Sequence, residues 1–184
     1  NYTVPYLLPG TYRIAVTHTG FKAFDQNPIE VHVSDRLRVD VRLETGSISE
    51  TVQVTAEAPI LETASANRGQ VVNKLTLETL PVNSRNPFTI LALSSGVHYT
   101  GSQIYYRPFD DGAISSYSVN GGPAGMNEFQ LDGIPQGRAG STDVAYVPPL
   151  EATEEFKVQT NTYDAQYGRT GGGVVNIVTR SGGN

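Results

Sequence analysis

Glycine density towards the C-terminal end constrains this chain more than any other feature. Five glycines lie between Gly168 and Gly182, and three of them, Gly171, Gly172 and Gly173, are consecutive. Glycine at that density marks backbone that bends sharply or approaches another backbone closely. The run that follows, Val174-Val-Asn-Ile-Val178, is apolar and rich in β-branched residues, the composition of a strand. No catalytic arrangement accompanies it.

The first 58 residues show a different pattern. They alternate with period two, which predicts short half-buried strands. Tyr12, Ile14 and Val16 share one face, as do Ile29, Val31 and Val33. The clearest case sets Leu37, Val39, Val41 and Leu43 against Arg36, Arg38, Asp40, Arg42 and Glu44. Pro9-Gly10, Thr19-Gly20 and Asn27-Pro28 fall where turns are needed. Four strands with one apolar face each require a second sheet to cover that face. The segment Tyr6-Leu-Leu-Pro-Gly-Thr-Tyr-Arg-Ile-Ala-Val16, followed by Gly20-Phe21, resembles carboxypeptidase-regulatory-like (transthyretin-like) domains. Only the second half of that pattern is present. The resemblance therefore implies an incomplete transthyretin/Ig-like β-sandwich over 1–58, lacking strands expected before Asn1.

From Ala58-Pro59 onward the sequence reads as a separate α+β domain, 59–184. Gln70-Val71-Val72 predicts a short strand. Leu75, Leu77 and Leu80 predict a short helix stopped by Pro81. Asn86-Pro87 opens a second helix, with Pro87 at its first position and Asn86 or Ser84 as cap. Phe88, Ile90, Leu91 and Leu93 form its apolar side, and Gly96 ends it. Residues 98–116 form a long loop. Strands are expected at Tyr117–Gly121, Glu128–Leu131, Phe156–Thr160 and Gly173–Thr179, with a turn at Asp132-Gly133. The fold class is mainly β, with a small mixed sheet and short helices in the second part.

Composition narrows the function. Net charge is −5, with no basic stripe, which argues against nucleic acid. No apolar run approaches the roughly 20 residues of a membrane helix. The chain has no cysteine, so disulfides, thiol nucleophiles and Cys-type zinc sites are excluded. His18, His32 and His98 lack ligand spacing, and Asp110-Asp111-Gly112 lacks the spaced carboxylates of a calcium loop. Glu151, Glu154 and Glu155 read as exposed acids beside a turn. No nucleophile elbow, phosphate loop or dinucleotide fingerprint occurs. The expectation is no enzyme, no metal and no cofactor.

A set of short motifs then appears in order. Leu80-Pro-Val-Asn-Ser-Arg-Asn86 and Leu93-Ser-Ser-Gly-Val97 come first, followed by Ser118-Val-Asn-Gly121 and Phe129-Gln-Leu-Asp-Gly-Ile-Pro135. Glu154-Glu-Phe-Lys-Val158 and the glycine turn Gly168, Gly171, Gly172, Gly173 complete it. Together they resemble the plug domain of TonB-dependent outer-membrane receptors, in the branch that carries an N-terminal carboxypeptidase-like domain. Ser95 stands where that pattern more often has proline. The resemblance implies a plug seated in the lumen of the receptor's own β-barrel, which would begin after Asn184. It places the chain at the outer membrane, facing the periplasm.

Just ahead of the plug, Glu50-Thr51-Val52-Gln53-Val54-Thr55-Ala56 resembles a TonB box. There an extended segment adds to the exposed sheet edge of the partner TonB through backbone hydrogen bonds. Val52 and Val54 would fill apolar pockets. The same alternation also fits the last strand of the preceding sandwich, and both readings stand at this point. Tyr99, Tyr105, Tyr106 and Phe109 either line a ligand surface facing outward or pack on the barrel wall. Two other functions stand beside this one: a released fragment that self-assembles extracellularly, as a filament or structural polymer of its own copies, through open β edges, and a glycan-binding or adhesion β module.

Overall fold

The structure is a computed structural model. It describes residues 2–47, 51–54, 68–82, 85–101, 116–137, 144–161, 165–168 and 170–182, and the side chains of 51, 53, 54 and 68 fall outside the description. The chain divides into two compact units, Asn1–Ser65 and Ala66–Asn184.

The first unit holds a three-stranded sheet in the order β1-β2-β3. Strand β1 (Gly10–Val16) pairs antiparallel with β2 (Ala23–Val31). Strand β3 (Thr51–Val54) pairs parallel with the other edge of β2. Thr19-Gly20 makes the expected turn, with Gly20 at φ 83°. Asn27-Pro28 does not. It lies inside β2 with a cis peptide bond, near the register shift between Tyr12 and Ile14. A shift there fits proline, which has no N–H for a regular ladder.

The strand most clearly written in the sequence is the one the structure does not form. Leu37, Val39, Val41 and Leu43 are half-buried, and Arg36, Arg38, Asp40, Arg42 and Glu44 are exposed, as the alternation requires. Yet residues 36–44 belong to no ladder among the described residues. Alternation fixes which side chains face inward; a ladder also needs a neighbour with a free edge.

The second unit is built on a five-stranded sheet in the order β4-β9-β10-β7-β8. Its strands are β4 (Arg68–Val72), β7 (Glu128–Leu131), β8 (Ile134–Pro135), β9 (Thr153–Asn161) and β10 (Val174–Thr179). Only β10 with β7 is parallel, so the sheet is mixed. Strands β5 (Val97–Tyr99) and β6 (Tyr117–Val119) form a separate antiparallel pair. Helix α1 (Lys74–Thr79) is capped by Asn73, whose Oδ1 accepts from Thr76 N–H at 3.0 Å. The segment Pro87–Leu93 is a 3-10 helix capped by Asn86, whose Oδ1 accepts from Phe88 N–H at 2.9 Å. Both capping asparagines satisfy amides that a helix leaves open at its start.

Pleating gives the large sheet two unlike faces. One carries Val72, Phe129, Phe156, Val158, Val175 and Ile177, which pack with Leu77 of α1 and with Phe88, Ile90 and Leu91. The Phe88 and Phe129 rings meet edge to face, with centroids 5.2 Å apart. The other face carries Gln130, Asn176 and Lys157 in one cross-strand row, with Glu155 and Gln159 beside them on β9. All five are buried. The acids read as exposed in the sequence thus divide. Glu151 is exposed and ion-paired with Arg85, whereas Glu155 is buried within β9, because the strand starts at Thr153, three residues earlier than expected.

Candidate partner-binding strand and glycine turn

The candidate partner-binding segment and the glycine turn lie in different units. Of Glu50–Ala56, the structure describes Thr51 to Val54; Glu50, Thr55 and Ala56 lie outside the described residues. Those four residues are already extended, and they run parallel to β2 with Ala23↔Thr51, Phe24↔Val52, Asp25↔Gln53 and Gln26↔Val54 as partners. Val52 is half-buried in the row that contains Val16 and the buried Phe24. Because β3 ends the sheet order, its outer edge carries no strand among the described residues. An open edge is a template for pairing with another chain.

One charged contact holds the neighbouring hairpin. Arg13 Nε donates to Asp25 Oδ1 and Oδ2 at 2.8 and 3.0 Å, and Arg13 Nη2 also reaches Asp25 Oδ2. Hydrogen bonding from this guanidinium holds the Asp25 carboxyl below the usual carboxylate range.

The glycine turn is a backbone clamp on the start of β10. Met126 O accepts from Gly171 N–H at 3.0 Å, from Gly172 N–H at 3.1 Å and from Thr170 Oγ1 at 2.6 Å. Buried Asn127 joins two strands: its Oδ1 accepts from Gly173 N–H at 2.9 Å and its Nδ2 donates to Tyr117 O. Glu128 N–H then donates to Gly173 O at 2.9 Å, where the parallel β7–β10 ladder begins.

Space, not backbone handedness, requires these glycines. None of Gly168, Gly171, Gly172 and Gly173 has a left-handed φ. A Cβ on Gly172 would meet Asn127 Oδ1 at 2.2 Å, and one on Gly173 would meet Val119 Cγ1 at 2.9 Å and Gln159 O at 3.0 Å. At Gly168 and Gly171 the nearest approaches are 3.8 and 3.6 Å, ordinary contact. The four therefore separate into two that the turn requires and two that it tolerates. Gly122 belongs with the first pair, since its Cβ would meet Gly171 O at 2.8 Å.

The far end of β10 is clamped as well. Asp132 Oδ1 accepts from Thr179 N–H at 2.9 Å, its Oδ2 accepts from Thr179 Oγ1 at 2.8 Å, and Asp132 N–H donates to Ile177 O at 2.8 Å. Asp132 and Gly133 both sit at positive φ, 50° and 79°, the geometry of a tight hairpin turn. Motifs that read as separate fragments thus lock onto one another. Asn120 N–H likewise donates to Gly96 O at 2.8 Å, which joins the Ser118–Gly121 motif to Leu93–Val97. Sequence spacing had no means of revealing Asn127 or Gly122, because Gly173, which bonds the first, and Gly171, which crowds the second, lie more than forty residues away.

Of the four aromatic residues read as a ligand-facing loop, the described residues include Tyr99. Tyr99 sits in β5, half-buried, with its ring 5.0 Å from that of buried Tyr117. Tyr105, Tyr106 and Phe109 lie outside the described residues, as do Asp110 and Asp111.

Comparison with known proteins agrees with the motif order. The TonB-dependent transporter Oar of Myxococcus xanthus is 25% identical over all 184 residues. The chain is thus similar, end to end, to a TonB-dependent transporter. It spans 17% of that relative's length. A scan against protein-family models finds no match. Among solved structures, the siderophore receptor PirA of Pseudomonas aeruginosa is 23% identical, at a TM-score of 0.47, over 63% of this chain and 18% of that one. PirA of Acinetobacter baumannii is 26% identical at 0.47, over 66% and 18%. The outer membrane transporter YddB of Escherichia coli is 17% identical at 0.48, over 61% and 17%.

Proposed function

We propose that this chain is the gating region of a TonB-dependent outer-membrane transporter, with no catalysis of its own. Residues 1–58 are the end of a carboxypeptidase-regulatory-like sandwich and 59–184 are the plug. The observation that carries this reading is the similarity to the Myxococcus transporter over every residue of the chain. That similarity covers both units of the chain.

Within that reading, Glu50–Ala56 is the strand that TonB captures. Its described part is already extended and lies at a sheet edge, so capture by strand addition requires no refolding into a new backbone shape. Pulling on it transmits force into the plug, which shifts in the lumen of the barrel so that a nutrient passes. The glycine turn and Asp132 hold β10 at both ends, so the plug's last strand resists that pull. Partners are therefore TonB and the receptor's own barrel, and the location is the outer membrane with the plug facing the periplasm.

Val54→Pro in the full-length receptor tests the capture step, because proline removes a backbone donor and cannot pair centrally in a ladder. The barrel should still assemble, while uptake and crosslinking to TonB should fall to background. Normal uptake with normal crosslinking would refute the assignment of the strand.

A further inference from the structure

Two segments of the first unit reach the same edge of β2. Strand β3 pairs with it in parallel from Ala23↔Thr51 to Gln26↔Val54. Thr45 bridges Phe21 in the antiparallel sense, with Lys22 N–H donating to Glu44 O at 2.9 Å and Gly46 N–H to Gly20 O at 3.2 Å. Phe21 N–H turns back towards β1, to His18 O at 3.1 Å. Successive amides of extended backbone point to opposite edges, so Lys22 points to the edge that β3 occupies. Thr45 and Thr51 therefore meet β2 two positions apart, at Phe21 and Ala23. Residues 37–43 leave the edge where Thr51 arrives.

This explains why the most regular alternation in the chain forms no ladder. We propose that residues 37–43 and β3 are alternative occupants of one edge of β2, and that release of β3 lets 37–43 zip onto it antiparallel. Register decides which one holds the edge at rest. Continuing directly from Phe21↔Thr45 would set Arg42 beside Phe24 and Asp40 beside Gln26, with the charged set on the apolar side. A one-residue slip turns every side chain to the other face. A bulge on the β2 side, at Lys22-Ala23, corrects it, setting Leu43 beside Phe24, Val41 beside Gln26 and Arg42 opposite Asp25. Opposite charges across a ladder favour that register, but the bulge costs regular pairing. Val52 needs no bulge to sit beside Phe24, so β3 holds the edge until it is pulled or weakened.

The exchange gives the first unit a latch. Once 37–43 has closed the edge, Glu50–Ala56 is held off the sheet. That consequence for capture rests on the function proposed above; the exchange itself does not.

The chain has no cysteine, so disulfide trapping in the 184-residue chain reads the occupant directly. Gln26→Cys with Val54→Cys reports docked β3, and Gln26→Cys with Val41→Cys reports the exchanged state. Val52→Asp, which sets a charge beside buried Phe24, is the variant that expels β3, and Val52→Ser is a milder second. Gln26→Cys with Ile14→Cys, partners in the β1–β2 ladder, shows that the hairpin is intact. With Val52 present, the 26–54 bond should form at least about tenfold faster than 26–41, the ratio set by a preference of about 1.4 kcal/mol. Val52→Asp should reverse the order, and Val52→Ser should narrow it. With the 14–26 bond intact in either variant, a 26–41 rate no higher than in the parent overturns the exchange. Adding TonB to the parent chain tests capture separately. Exchange in Val52→Asp, with no rise in 26–41 on adding TonB, would count against capture alone.

Discussion

The two units bury a sheet in different ways. In the second, a five-stranded sheet packs one face into a continuous cluster of thirteen buried apolar residues, and β10 is central, with β9 and β7 on its flanks. In the first, the described residues bury three large apolar side chains, Phe24, Ile29 and Val33. The inward residues of β1, Tyr12, Ile14 and Val16, are only half-buried. The difference teaches where rigidity and exchange belong. A strand held by neighbours on both sides and by a packed face opens only with the whole unit. A short edge strand on a thin sheet opens alone. Force applied through β3 therefore meets its weakest resistance at β3 itself.

The largest expected effect would break this comparison outright. Phe156→Ala removes a ring that is 1% exposed from the centre of the second unit and should cost about 3–5 kcal/mol. Phe24→Ala in the first unit should cost clearly less, because its surroundings are half-open. Equal losses in urea titrations monitored separately for each unit would show that the two cores are equivalent. Gly172→Val comes next. The added atoms collide with Asn127 Oδ1 and should cost about 2–3 kcal/mol through overpacking and a lost hydrogen bond. Gly171→Ala should change stability by less than about 0.5 kcal/mol. Similar losses at both glycines would mean that the turn is limited by backbone freedom and not by space.

Tyr117→Phe sharpens the account of the second core. It removes a 2.6 Å bond to Phe88 O and leaves a buried carbonyl without that donor, at a cost of about 1–2 kcal/mol. A melting temperature equal to the parent's would contradict this. The smallest effect concerns acid. The folded-state pKa of Asp25 is depressed by Arg13, so its contribution is present above the ordinary carboxylate value near 3.9 and is lost as pH falls through the lowered value. Amide protection in the β1–β2 hairpin should drop on acidification below about pH 4 in the parent and lose that dependence in Asp25→Asn. An identical acid profile in the two would remove the ion pair from the account.

Much of the second unit was legible because its signals are local. Asn86-Pro87 opens a helix, Asp132-Gly133 turns a hairpin, and a β-branched run forms β10. The long-range clamps were not legible. Asn127 is an unremarked polar residue until Gly173 comes to it across 46 positions. The buried polar row of Gln130, Asn176 and Lys157 is hidden for the same reason, since period-two alternation assigns such residues to solvent. In the first unit the alternation of 37–43 gives the two faces correctly but does not give a paired strand. Pairing depends on competition for an edge, which no single segment encodes.

Hydrogen exchange on the chain, with and without a soluble TonB domain that presents its open sheet edge, tests the central claim most directly. Thr51–Val54 should exchange quickly in the free chain and gain protection with TonB, while Val174–Thr179 stays protected in both. Slow exchange of Thr51–Val54 in the free chain, unchanged by TonB, would contradict it.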